Sequence, residues 1–446
     1  MEKKNSDWIL LSIFFILLLV LVIFSKKILF HDTVEYYNLI KDFAGFSIIK
    51  AHSTHSMVYS YLLAPFVKIF PSIITMKILN VVWLFFIALL LRNNGYKKAY
   101  ILYIFSPMVW ISAPQLTPVL PSAFFTLLAY LQFKKYEKTK AKKHFFLTSL
   151  SLGIGLALYT PMTIVALMFV ISFMRNIKVK ELITFSIIAG IAYIPRVLLD
   201  YKLTGIPFYS EIRFFGANLK NALGVGATGD AGIISGALMS STIYFIFLVS
   251  PLLFMLFKTN YKKYKNELFF IITLTAFFMI TGSYIKYLLI PGGIIFILLG
   301  KILNKKLIIA HIILSLIIIA IFVTPFFTTQ EQYMSSDITQ ILGDYDYTEV
   351  VLYPSIAISL WEGSYFLPEE YIAYANNETY FSTLTLESNP TFYNDKILEI
   401  QGNLKIAQDD RVKDVDLWVT TPDRYPEGFS LDKCYDYLCV FTKIST

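Results

Sequence analysis

Three polar clusters interrupt an otherwise apolar chain, and their residue types narrow the chemistry open to it. The first is His31-Asp32-Thr33-Val34-Glu35-Tyr36-Tyr37, followed by His52, His55 and Tyr59. Asp32 and Glu35 are three apart, so on a helix they share a face and converge on one substrate, as a general base and its partner must. His52 and His55 repeat that spacing. Together the four form a mixed carboxylate and imidazole set that suits a divalent ion, while solvated carboxylates and structural histidines are the plain alternative. The second cluster is RVLLDYKLTGIPFYSEIRFF, which sets Arg196, Tyr201, Lys202, Glu211 and Arg213 around a turn. The third, Ser283-Tyr284-Ile285-Lys286-Tyr287-Leu288-Leu289-Ile290-Pro291, puts one cation at the end of an apolar run. Such a lysine either snorkels to an interface or anchors an anionic head group.

The elements that must hold these clusters are membrane spans. Of the 446 residues, 56% are hydrophobic and 16% charged, against about 25% charged in an ordinary soluble domain. That excludes a soluble enzyme. The net charge of +8 divides sharply: residues 326–446 hold 20 acidic and 7 basic residues, a net of −13, leaving +21 on residues 1–325. A basic apolar body joined to an acidic tail records topology, not an affinity for nucleic acid.

Short basic breaks at Arg92–Lys98, Lys134–His144, Arg175–Lys180, Lys258–Lys265 and Lys301–Lys306 mark the cytoplasmic face by the positive-inside rule. The apolar stretches Ala99–Phe133 and Phe145–Met174, 35 and 30 residues long, would reach about 45 to 53 Å as single helices across a hydrocarbon core of about 30 Å. Each must be a hairpin, broken at Pro114, Pro118 and Pro121 in the first and at Thr160-Pro161 in the second. The expectation is a polytopic α-helical membrane protein of about eleven spans: 8–24, 72–91, 99–113, 118–133, 145–159, 161–174, 181–199, 236–257, 268–284, 287–300 and 307–325. The first apolar run has no small-residue cleavage site and reads as a retained span. The N-terminus is expected in the cytoplasm, with outer loops at 25–71 and 200–235.

Residues 326–446 read as a small extracytoplasmic α/β domain, with strand-like runs at Glu349–Leu352, Leu417–Thr420 and Leu438–Phe441 and a helix-like stretch from Ser355. Cys434 and Cys439 lie there, as a hairpin disulfide or as two free thiols. The sequon Asn377-Glu378-Thr379 falls on the same side. No repeat of 20 to 50 residues is visible, and the spans carry almost no charge, His311 being the clearest ionisable residue within one. Both facts count against a transporter or flippase of lipid-linked sugars, the competing reading. A non-catalytic protein of cell-surface assembly is a third, which leaves the first-loop carboxylates without a role.

These clusters carry a resemblance. The acidic first outer loop with its His and Tyr segment, the TGIPF stretch after the seventh span, KYLLIP entering a late span, and the LWVTTPD strand of the tail resemble the GT-C superfamily of membrane glycosyltransferases. The nearest branch is that of protein O-mannosyltransferases and lipid A aminoarabinose transferases. The likeness spans nearly the whole chain. It departs from the family in Asp32-Thr33, where an Asp-Glu pair is common, in Lys286, where Arg is common, and in lacking a WWDYG motif.

The resemblance implies an enzyme, a hexosyltransferase of the extracytoplasmic face of the cell membrane. It would move a sugar, with inversion, from a polyprenyl (dolichyl-type) phosphate donor to a glycan, lipid or protein acceptor. It puts Asp32 in the role of base with Glu35 beside it, and Lys286 and Arg213 on the donor phosphate. His52, His55, Tyr59, Tyr201 and Tyr287 would line the substrate site. No cofactor is called for; a divalent metal on Asp32, Glu35, His52 and His55 is the alternative.

Overall fold

The computed structural model describes residues 2–25, 36, 39–41, 43–46, 56–212, 214–215, 248–280, 285–324, 338–346, 350–352, 416–420, 426, 428–435 and 438–444. The apolar runs form helices. α1 (Glu2–Phe24) is followed by α2 (Val58–Ile69), α3 (Ile73–Asn93), α4 (Lys97–Ile104), α5 (Pro107–Ser112) and α6 (Val119–Thr139). Then come α7 (Lys142–Leu158), α8 (Met162–Phe173), α9 (Val179–Thr204), α10 (Tyr261–Ile280), α11 (Leu289–Ile302) and α12 (Lys305–Val323). Among the described residues, four stretches are long and apolar enough to cross a membrane, Asp7–Phe24, Ile73–Asn93, Val179–Leu203 and Lys305–Val323; Val58–Ile69, Met162–Phe173 and Leu289–Ile302 are shorter apolar helices.

Local chemistry sets the breaks. The Ser72 hydroxyl accepts from the Ile74 N–H at 3.1 Å and starts α3, while Gly205, at φ 73°, closes α9 in the left-handed conformation. Thr160-Pro161 divides α7 from α8 as expected, and Pro114 falls between α5 and α6. Pro121 instead lies in the first turn of α6, where a missing N–H costs nothing. The stretch expected as one span over 99–113 is two short helices, because Ser106-Pro107 ends α4 and begins α5. Gly153 lets α7 lie against α9: a Cβ there would stand 2.5 Å from the Ala189 carbonyl oxygen and 2.7 Å from the Ala192 Cβ.

The basic breaks gather at one end of the bundle, with the N-terminal turn of α1. Asp7 pairs with Lys97 at 2.9 Å, Arg92 stacks 3.7 Å from the Trp8 ring centroid, and Lys98 Nζ donates to the Leu303 carbonyl at 2.8 Å. At this end α6 and α10 share a cluster: buried Glu267 accepts from the Tyr130 hydroxyl at 3.0 Å and pairs with Lys134 at 3.1 Å. Lys134 also reaches Glu137 at 2.9 Å. The buried His311 ring lies 3.1 Å from both the Ser250 hydroxyl and the Leu102 carbonyl, so it fastens α12 to α4 as a structural residue.

The acidic tail contributes a short helix, α13 (Ile338–Gly343), and a sheet of β1 (Val350–Leu352), β2 (Leu417–Thr420), β3 (Phe429–Tyr435) and β4 (Leu438–Lys443), in the order β1-β2-β4-β3. β1 and β2 are parallel; β4 runs antiparallel to both its neighbours. Three strands fall where expected. β3, whose residues are largely exposed, lacks the apolar alternation that betrays a strand. Cys434 and Cys439 form a disulfide across the β3–β4 hairpin. The helix-like stretch from Ser355 and the sequon at Asn377 lie outside the described residues.

Candidate functional site

Opposite the basic end, irregular segments between helices are pinned together by buried polar side chains. Lys77, fully buried on α3, donates from Nζ to the Ser25 carbonyl at 2.9 Å and so fixes the exit of α1. One turn later the Asn80 amide donates to the carbonyls of Ser112, Ala113 and Gln115, gripping the link between α5 and α6. The Ser56 hydroxyl donates to the Ala157 carbonyl at 2.6 Å, tying the chain just past His55 to the last turn of α7.

Apolar packing joins the first and second polar clusters. Tyr36, Ile40 and Ala44 pack with Val58, Tyr59, Leu63, Leu116 and Leu158. Leu39 and Met57 pack with Ile206 and Tyr209, which follow α9. Tyr59 is buried with its ring edge-on to Tyr36, centroids 5.7 Å apart, and its hydroxyl has no hydrogen-bond partner among the described residues. Lys41, in the same segment, is fully buried, and burial pushes its amine down to about 7.

Among the described residues, a cluster of polar contacts centres on Arg196, fully buried in the last third of α9. Its Nη1 donates to the Leu156 carbonyl at 2.9 Å and pairs with Glu211 Oε1 at 2.8 Å. Nη2 donates to the Thr160 hydroxyl at 2.5 Å and to the Ser210 hydroxyl at 2.9 Å, and Nε donates to Ser210 as well, at 3.1 Å. Ser210 passes its own proton on: Oγ donates to Asp200 Oδ2 at 2.6 Å, and the Ser210 N–H donates to the same oxygen at 3.1 Å. Burial pushes the Glu211 carboxyl up, and the Arg196 guanidinium opposes it. A planar fork of five donors can hold several segments at fixed angles, which an ammonium cannot.

Beside this cluster the Tyr159 ring stacks on Tyr287, centroids 6.1 Å apart, and Tyr287 stacks on Phe278 at 4.9 Å. Tyr287 is buried within the helical turn Ile285–Leu288, which also carries Lys286. Of the residues singled out in the sequence, the fold brings Tyr59, Arg196, Glu211 and Tyr287 to this end of the bundle. Tyr201 is on α9 with its side chain exposed. Asp32, Glu35, His52, His55 and Arg213 lie outside the described residues, as does the metal set built from the first four. Among the described residues no group of three or more His, Cys, Asp or Glu gathers to hold a metal.

Sequence reasoning passed over Lys77, Lys41, Thr160, Asp200 and Ser210. A lysine within an apolar span is itself a signal, and Lys77 carried it. The serine and threonine carried none, because their partners are distant in the chain.

No known family pattern matches the sequence, and no curated protein matches it. Solved structures do. ArnT from Cupriavidus metallidurans in the apo state is similar with a TM-score of 0.64 at 10% identity, covering 100% of this chain and 99% of that one. The same protein bound to undecaprenyl phosphate gives 0.61 at 9% identity, covering 99% of each chain. Over nearly its whole length the chain therefore shares the fold of ArnT.

Proposed function

We propose that the protein is an integral-membrane glycosyltransferase that moves a sugar from a polyprenyl phosphate to an acceptor hydroxyl. The whole-chain likeness to a structure that holds undecaprenyl phosphate carries this reading. The end opposite the basic breaks is the extracytoplasmic end by the positive-inside rule. There Leu39 and Met57, from the segment that carries the first polar cluster, pack against Ile206 and Tyr209 within the second. Residues 1–325 are the catalytic membrane unit and 326–446 an outer domain.

In the reaction the acceptor oxygen bonds to the anomeric carbon while the bond from that carbon to the phosphate oxygen breaks. Asp32 takes the acceptor proton, with Glu35 orienting the hydroxyl, and the polyprenyl phosphate leaves as an anion. Lys286 and Arg213 balance the charge that develops on it, an interaction strengthened where water is excluded. Attack opposite the leaving group inverts the anomeric centre. Tyr59, Tyr201, Tyr287, His52 and His55 surround the substrates. The reaction needs no cofactor; if Asp32, Glu35, His52 and His55 instead hold a divalent ion, a chelator abolishes turnover and the ion restores it.

Asp32→Asn tests the assignment. Turnover of a lipid-linked donor should fall by about 10²- to 10⁴-fold, the usual worth of a general base, with the protein still folded in membranes. Near wild-type turnover overturns the role.

A further inference from the structure

The basic break at Lys258–Lys265 differs from the first one. At Arg92–Lys98 the cations turn inward, Lys97 to Asp7, Lys98 to the Leu303 carbonyl and Arg92 to the Trp8 ring. Lys258, Lys262, Lys263 and Lys265, with Lys301 from the last turn of α11, are exposed instead, and none has a carboxylate partner among the described residues. Lys263 and Lys301 share a single ring: their ammonium groups lie 5.4 Å and 4.7 Å from the Tyr264 centroid. A helix start favours carboxylates, because its unpaired N–H groups are the positive end of the dipole, yet the first turn of α10 has no acidic residue. Like charges gathered at a positive helix end repel one another unless an anion answers them.

The chain just before these lysines supplies an apolar half. In the 3₁₀ turn Leu253–Lys258, residues three apart eclipse, so Phe254 and Phe257 lie on one side, 53% and 94% exposed, while Met255 is buried. The turn packs on α11, which carries Lys301. Phenylalanines so exposed, next to exposed lysines, suit the boundary where acyl chains meet head groups. We infer that this corner of the basic end binds an anionic phospholipid: Lys263 and Lys301 hold the phosphate of its head group, and Phe254 and Phe257 rest on its acyl chains. A free phosphate ion would answer the lysines and leave the two phenylalanines without a role. The site is at the opposite end of the bundle from the proposed chemistry and does not rest on it.

The test uses the full-length protein in micelles of an uncharged detergent, titrated separately with phosphatidylglycerol and phosphatidylcholine, with each dissociation constant read by native mass spectrometry. The wild type should prefer phosphatidylglycerol. Lys263→Gln/Lys301→Gln should lower the ratio of the two affinities by about 30-fold, the combined worth of two lysines facing an anionic head group. Phe254→Ser/Phe257→Ser should weaken both lipids alike and leave the ratio in place. Lys142→Gln/Lys143→Gln, which removes the same charge from the exposed start of α7, should leave it in place as well. Glycerol 3-phosphate, the same anion without acyl chains, should not compete at the lipid's own concentration. A wild type without preference overturns the inference, and equal losses from the two lysine pairs do so by reporting a diffuse field in place of a site. Competition by glycerol 3-phosphate, or unchanged lipid affinity in the phenylalanine variant, overturns it in favour of a soluble anion. Each of these results leaves the proposed function standing.

Discussion

The Glu267 cluster at the basic end and the Arg196 cluster at the opposite end are built from the same chemistry, a buried charge paired and hydrogen-bonded, yet they hold different things. Glu267 joins α10 to Tyr130 and Lys134 on α6, all within helix, and its outer member Glu137 is half-buried. Its geometry follows once those two helices pack. Arg196 joins α9 to the last turn of α7, to the turn at Thr160 and to the short helical stretch 209–212 that follows Gly205, whose positions the packing of α7 and α9 alone leaves open. A buried ion pair adds little net stability over well-packed apolar residues, because desolvation offsets attraction, but breaking one is costly. The first cluster is therefore a fastening between helices. The second fixes the connections between long helices, where functional residues are disproportionately found.

That contrast can be broken by substitution. Lys286→Ala has the largest expected effect, a loss of about 10²-fold in kcat/KM for the donor with the acceptor KM unchanged, as for removal of a charge from a shielded leaving group. An unchanged donor KM and rate remove Lys286 from the phosphate site. Gly153→Leu forces α7 from α9 one turn before the Arg196 contact with Leu156. It should cost about 1–3 kcal/mol of stability and lower donor turnover too; full activity would mean that the crossing does not set the site. Glu267→Gln should cost about 1–3 kcal/mol, read as a lower unfolding midpoint, with donor kinetics unaltered. A fall in donor kcat/KM there would erase the distinction between the two ends. Glu137→Gln removes a half-exposed pair and should change stability by less than about 1 kcal/mol.

Most of the helical framework was legible in the sequence, because apolar run length and basic punctuation both follow from the bilayer. Thr160-Pro161 announced its own break. Ser106-Pro107 carried the same information, and weighing it would have divided the 99–113 stretch into α4 and α5. The edge strand β3 was illegible because its exposed residues need not alternate.

The candidate site was legible only where a charge stood out against apolar neighbours, as at Arg196 and Glu211. Its working parts were not. Thr160 lies 36 residues from Arg196, and Ser25 lies 52 from Lys77. Nothing local in a lone threonine or serine declares which buried guanidinium it will meet, since that pairing exists only after α7 and α9 have packed.

The most direct measurement of the central claim is a time course of the purified protein with a panel of polyprenyl-phosphate sugars, followed by mass spectrometry of the lipid. The account predicts that one donor is consumed in an acceptor-dependent manner, releasing polyprenyl phosphate and a sugar of inverted anomeric configuration. Donors that remain intact across the panel while the protein binds or translocates them would contradict it.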